Sequence, residues 1–478
     1  MGRIRKSFAS ILILIMVVSS LTLMGINPLV KAQTGTNVES YVMTQDTAWT
    51  KAGSPYTLMG PVGVATGVTL TIDAGVTVNL GSYYLEVNGT LAAIGTSGNP
   101  INFNSGSITF TSDSARWNEQ AGSGCIIEHA TLDSTRITAS NSVKMDYGSL
   151  SGTLYVGPSI VSDSIITGSV IASGSAQIFN NRVSDGTVGS DGGDLLSGFP
   201  TITNNTITGS QTGIFDSSGY AVIADNIISN CNTGIAANSV PVFGGQTLPI
   251  PRIQNNAIVN NDYGIAITVF DRFDVGSLSQ LEIVNNTISD NTVGLSISES
   301  SFDSGPRILY NNIQDNSNYS ICLSTYTSNS INATYNWWGT TNQQVINQTI
   351  YDSKDDFNIG TVNFVPFLTT PNPEAPSATE LTRTPTPTFT PTVTQISNQT
   401  VISNTNPTQI PTLTHASNSS ARTSMWPTRR RQPRQRGCWP QLGMRCRRPL
   451  RRCSPLMVRA FRHSVRRRRR FMSSLCRP

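Results

Sequence analysis

The sequence predicts a right-handed parallel β-helix of about twelve coils, followed by a Thr/Pro-rich stalk. Two observations carry the solenoid, and an abrupt change of composition carries the stalk. The first is a register of asparagines, Asn181, Asn205, Asn226, Asn256, Asn286, Asn311 and Asn336, at intervals of 24, 21, 30, 30, 25 and 25 residues. The second is what accompanies them. Three positions before each stands Ile178, Ile202, Ile223, Ile253, Ile283, Ile308 and then Ala333; two positions after stands Val183, Ile207, Ile228, Ile258, Ile288, Ile313 and then Trp338. Short β-branched runs broken by Asn, Gly, Ser and Asp leave no helical stripe, and one unit alone cannot bury its aliphatic positions. Stacking the units sets the isoleucines above one another at about 4.8 Å. Identical asparagines then form a hydrogen-bonded ladder, and Trp338 closes the core at its level. Gly189, Gly213, Gly234, Gly264 and Gly294, eight positions after the reference, are expected in turns of positive φ.

The other elements follow along the chain. Arg3, Arg5 and Lys6, an apolar run from Ile11 to Met24, and Val30-Lys31-Ala32 make a secretory signal pattern over residues 1–32. Residues 33–61 are read as an N-terminal cap. The solenoid is placed at 62–370, because Leu70-Thr-Ile-Asp-Ala-Gly-Val-Thr-Val and Leu85-Glu-Val-Asn-Gly-Thr-Leu91 alternate as strand, turn, strand. Residues 371–420 are Thr, Pro, Ser and Asn with few aromatics, a stretch that cannot bury a core. Residues 421–478 hold 19 arginines with no lysine and no acid, and are read as a disordered tail, an out-of-frame translation of GC-rich Ala codons.

That tail dominates the formal net charge of +5. Without it, 33 − 19 = 14 basic residues face 28 acids, so the body is acidic and no nucleic-acid partner is expected for it. The body's cysteines, Cys125, Cys231 and Cys322, are odd in number and far apart, as isolated buried thiols are. No membrane span is expected in the mature chain, and a monomer is expected.

The run Leu70–Val78, then Leu85–Thr96 and Ile101-Asn-Phe103, resembles the opening of bacterial surface β-helix proteins. The Asn-Asn-Thr-Ile-Ser-Asp-Asn units and the close at Asn336-Trp-Trp-Gly-Thr340 resemble the same pectate-lyase-like superfamily, including NosD-like copper-delivery repeats. The resemblance spans roughly 62–368 and implies the fold; the architecture hosts lyases, hydrolases, epimerases, adhesins and inert stalks alike. It implies stacked outer-face carboxylates wherever there is catalysis, with Ca²⁺ and a basic residue in lyases or paired acids in hydrolases.

Against that requirement the candidates are Asp185, Asp191 and Asp194 near Arg182, and Asp271 and Asp274 near Arg272. Gly-Ser-Asp-Gly-Gly-Asp194 reads first as a polar turn. No catalytic residue and no cofactor is therefore assigned; Asp191, Asp194, Asp271 and Asp274 are the residues that would hold Ca²⁺. Copper would want soft ligands, and Met43, Met59, Met145, His129 and His415 share no register. The longest inter-repeat loops fall at one phase of the coil and carry Phe243, Phe270, Asp271, Phe273, Asp274, Glu299, Phe302 and Asp303. Aromatics beside carboxylates suit a surface polysaccharide or cell-wall component. The expectation is a secreted or cell-surface β-helix with a structural, adhesive or carbohydrate-binding role and no catalysis. The alternatives are a uronate lyase, hydrolase or epimerase, and copper delivery.

Overall fold

The computed structural model describes residues 35–191, 198–217, 220–239, 252–269, 281–299, 306–324, 327 and 330–377. The signal-like segment, the Thr/Pro-rich stretch beyond 377 and the Arg-rich tail lie outside them.

Each coil carries three short strands. In one central coil these are Arg252–Gln254, Ala257–Val259 and Tyr263–Val269. All strand pairing between coils is parallel, and the first strands of the coils stack into a 14-stranded sheet, rather than the roughly twelve rungs expected. The second and third strands are joined into one 25-stranded sheet, because Thr77–Val87 and Ile101–Phe110 run around the corner and pair on both sides of it. Among the described residues, stacking begins at Thr36–Val38, which pairs with Tyr56–Leu58, inside the stretch read as a cap. Those first strands expose two residues of three, so they lack the apolar alternation by which a strand is recognised.

The core is a set of aliphatic columns. Ile202 pairs with Ile223, Ile223 with Ile253, Ile253 with Ile283 and Ile283 with Ile308, and all five are at most 2 % exposed. Earlier coils continue that column through Ile178, Val161, Met145, Ile127, Ala93 and Ile72. A second column runs Val183, Ile207, Ile228, Ile258, Ile288, Ile313. Each fully buried isoleucine contributes about 1.5–3 kcal/mol from desolvation. Where the second column ends, Trp338 is 5 % exposed and meets the edge of Phe364 with ring centroids 6.1 Å apart. A short helix, Gln343–Gln348, follows, capped by the Asn342 side chain, with Ile346 buried beneath it.

The corners explain the asparagines. From Asn181 to Asn311, the residue before each reference Asn and the one four positions after it lie in the left-handed region: Asn255 at φ 55° and Asn260 at 56°, Asn285 at 55° and Asp290 at 58°. Asn and Asp tolerate that region best among residues with a side chain. The turn takes the next backbone N–H out of the strand ladder, and a neighbouring side chain must satisfy it. Asn256 N and Nδ2 both donate to Asn286 Oδ1, at 2.9 and 3.0 Å, and the same pair of bonds links Asn226 to Asn256 and Asn286 to Asn311. Each amide also bonds the carbonyl two residues back and one in the preceding coil; Asn256 Nδ2 reaches Gln254 O and Ile223 O. In earlier coils a smaller group does this work: Ser164 Oγ accepts from Gly148 N, and Ser164 N donates to Asn181 Oδ1.

The glycines are not in positive-φ turns. Gly213, Gly234, Gly264 and Gly294 lie within strands, where a Cβ would come within 2.6–2.7 Å of a carbonyl oxygen in the next coil. Close approach of backbones, not turn geometry, requires glycine there.

On the outer surface, Glu282 lies between Arg252 at 3.2 Å and Arg307 at 2.9 Å, one on each neighbouring coil. Both arginine side chains are about half exposed, so each pair contributes about 0–1 kcal/mol. Its larger effect is on register, because a slip of one residue would break both contacts.

Candidate functional site

On the third face, alternation sends every second side chain outward, and coil stacking lines those side chains into columns. Thr138 pairs with Tyr155, Tyr155 with Ile171, Ile171 with Gly189 and Gly189 with Phe215. Tyr155 is 44 % and Phe215 37 % exposed. Two positions further along each strand comes a second outward column, Ser140, Gly157, Ser173, Asp191 and Ser217. Their backbone N–H groups bond to the preceding coil in sequence: Gly157 to Ala139, Ser173 to Val156, Asp191 to Ala172 and Ser217 to Ser190. Between the columns lies the inward-facing row of Ala139, Val156, Ala172, Ser190 and Asp216, all buried.

The result is an open groove of about 290 Å³, lined on one side by Tyr155 and Ile171 and on the other by Ser140, Ser173 and Asp191. Gly157 and Gly174 keep its floor low. One wall is an apolar platform and the other offers hydroxyls and one carboxylate. That is the chemistry of a sugar ring, whose C–H face stacks on an aromatic while its hydroxyls seek polar partners. Among the described residues the lining holds one carboxylate and no Lys, Arg or His; residues 192–197, which follow Asp191, lie outside them. The nearby Asp216 points into the core, where Ser190 Oγ donates to it at 2.7 Å and Ala221 N at 3.2 Å.

A match to a known family bears on this face of the solenoid. Residues 151–335 match the family model described as a right handed beta helix region. These residues are a right-handed β-helix. The match covers the later coils of the groove, on both its walls, and most of the asparagine corners, and it speaks for the fold. A search of curated proteins found no match, and a search of solved structures found none.

Of the residues singled out from the sequence that the structure describes, the β-helix brings Asp191 to this groove. Asp185 is a corner residue at φ 57° whose N–H bonds Thr208 O. Asp194, Phe243, Phe270, Asp271, Phe273, Asp274, Phe302 and Asp303, and the side chain of Glu299, lie outside the described residues, as does His415. Copper ligation finds no site among the described residues: Met43 and Met145 are buried in core columns, Met59 is exposed, and no cluster of three metal-ligating His, Cys, Asp or Glu residues occurs. Cys125, Cys231 and Cys322 are buried free thiols, and burial pushes those of Cys125 and Cys231 above the ordinary thiol range, which keeps them unreactive. Cys231 takes an asparagine's place at the head of a second column; its N–H donates to Asn261 Oδ1, and Asn261, Asn291 and Asn316 follow in line. No residue type recurs at the level of Tyr155 and Phe215, which pair with Ile171 and Gly189, so nothing in the sequence marks that outward position.

A second charged cluster lies on a corner of the earlier coils. Lys144 sits 3.4 Å from Asp146, 3.5 Å from Glu119 and 5.5 Å from the centroid of the Trp117 ring. Desolvation opposes its charge, but Asp146 and Glu119 outweigh that and hold the ammonium above its ordinary range. Its charges answer one another, and the cluster fastens the loop carrying Trp117 and Glu119. Nearby, partial burial, reinforced by Asp146, pushes the Asp163 carboxyl above the ordinary carboxylate range. A raised carboxyl favours the folded state when protonated, and that contribution is lost as pH rises through its folded value. Asp163→Asn would extend the corner amides of Asn180 and Asn204, which already bond one another at 2.6 Å. It should raise stability at neutral pH and leave it little changed near pH 3, as urea denaturation at the two pH values would read.

Proposed function

We propose that this protein is an exported, non-catalytic β-helix that binds polysaccharide in the groove between Tyr155 and Asp191. The observation that carries the reading is the pairing of two outward columns two strand positions apart, apolar with aromatics on one side, hydroxyls and a carboxylate on the other. A lining with one carboxylate and no cation favours a neutral or amine-bearing glycan and repels a uronate polymer. The alternative of uronate cleavage asks for a base and a charge-stabilising cation, and glycoside hydrolysis for two carboxyls within about 10 Å of one another; among the described residues, the groove lining offers Asp191 with neither. Export is supported by the basic, apolar and small-residue pattern of residues 3–32.

Calorimetric titration of the full chain with neutral β-glucan, chitosan and polygalacturonate oligomers tests the reading. Binding of a neutral or amino-sugar oligomer is expected, weakened about tenfold by Tyr155→Ala through loss of the stacking platform. Preference for polygalacturonate, or affinity indifferent to Tyr155→Ala, would overturn it.

A further inference from the structure

After its last coil the chain does not leave the solenoid at the end; it turns back along the outside. Tyr335 N donates to Pro366 O and Leu368 N to Asn336 O, at the final coil. Four residues on, Asn372 is bonded to the coil before: its N–H donates to Asn312 Oδ1 at 2.7 Å, Asn312 Nδ2 returns a bond to Asn372 O at 3.1 Å, and Asn372 Nδ2 reaches Tyr310 O. The same Nδ2 also meets Asn285 Oδ1 at 3.1 Å, one coil further back. There Thr287 Oγ1 donates to Pro376 O. Asn372, Ala375, Asn312 and Thr287 are all less than 9 % exposed. Residues 371–377, the start of the segment expected to be extended, thus lie against the coils.

We infer that residues 369–377 form a reversible latch, the first part of the molecule to yield when the C-terminal segment is pulled. Residues 378–478 continue from the free end of the strap, against the coil of Thr287, not from the last coil. Tension entering there meets Thr287–Pro376 first, then the four bonds of Asn372, and only afterwards Leu368 and the strands of the final coils. Each of these contacts has a side chain on at least one side, of the strap or of the coil, and none is a strand-to-strand backbone bond, so releasing them opens no strand pairing. The strap can rebind because Asn312, Tyr310 and Asn285 are held in place by the coils whether or not it is bound. A solenoid lacking it would transmit the pull straight into its terminal coil, whose loss exposes the next strand edge.

The test is to stretch the full-length chain between handles at its two ends in an optical trap. The earliest event should lengthen the chain by about 30 Å, the span of nine freed residues, and should reverse on relaxation. Unravelling of a coil would release about 80–100 Å. Asn372→Ala should shorten the lifetime of the latched state about tenfold, while Thr287→Val should lower only the onset force. Amide exchange of the unstretched protein gives a second reading: protection at Asn372 and Ala375 should fall in Asn372→Ala with the coil amides unchanged. A first event of coil length, or a short event and strap protection that ignore Asn372→Ala, would overturn the latch.

Discussion

Replacing Asn256 with Ala should destabilise the central coils by about 3–5 kcal/mol, more than an ordinary hydrogen-bond deletion. The side chain is fully buried and serves three coils at once. Its oxygen accepts from Asn226 N and Nδ2, and its amide donates to Ile223 O, Gln254 O and Asn286 Oδ1. Truncation leaves several buried polar groups without partners, each carrying a desolvation penalty of about 1–3 kcal/mol, partly relieved if water enters the space. Because each coil contacts only its neighbours, the loss should stay local. Hydrogen exchange should show faster opening of the strands at Ile223, Ile253 and Ile283, with little change at Leu70 or Leu91. Uniform loss of protection along the chain, or none, would contradict the asparagine column as a stack of shared bonds.

Gly264→Ala should cost about 2–3 kcal/mol, the range of overpacking in a rigid interior. The added Cβ would lie 2.6 Å from Gly294 O and 3.1 Å from both Asn291 Nδ2 and Ile288 Cγ2. The nearest atom is backbone in the next coil, so it cannot turn aside as a flexible side chain would. Relief requires the two coils to separate, which lengthens the strand bonds from Tyr263–Val269 to Val293–Glu299. Gly98→Ala is the control, since nothing lies within 4 Å of its Cβ position, and should change stability by less than about 0.5 kcal/mol. Urea denaturation of the two variants side by side checks the contrast.

The repeat was legible in the sequence because a stacked coil imposes the same environment on every copy. An isoleucine three positions before an asparagine recurs whatever the loop length between coils, so Ile202, Ile223, Ile253, Ile283 and Ile308 could be aligned without coordinates. The charge triad of Arg252, Glu282 and Arg307 followed from the same register. The second asparagine column was legible in principle, since Asn261, Asn291 and Asn316 each stand five positions after a reference Asn. The groove was not. Tyr155, Ile171, Gly189 and Phe215 differ in chemistry at every level, because an outward position is not constrained by the core and no residue type recurs to mark it. Their partners Ser140, Gly157, Ser173 and Asp191 likewise share no one residue type that would mark the column.

The sequence by itself thus determined the fold, the phase of the coils from Ile178 onward and the core columns of those coils, all of which rest on periodic burial. Tertiary structure alone decided three things. It set the glycines in strands, because the clash they avoid is with the next coil and not with their own turn. It joined an aromatic column to a polar one across an inward-facing row. And it turned residues 369–377 back along the coils, where Asn372 finds Asn312 sixty positions earlier in the chain. Each is a contact between residues that no local pattern relates, and a single chain records such contacts only once it is wound.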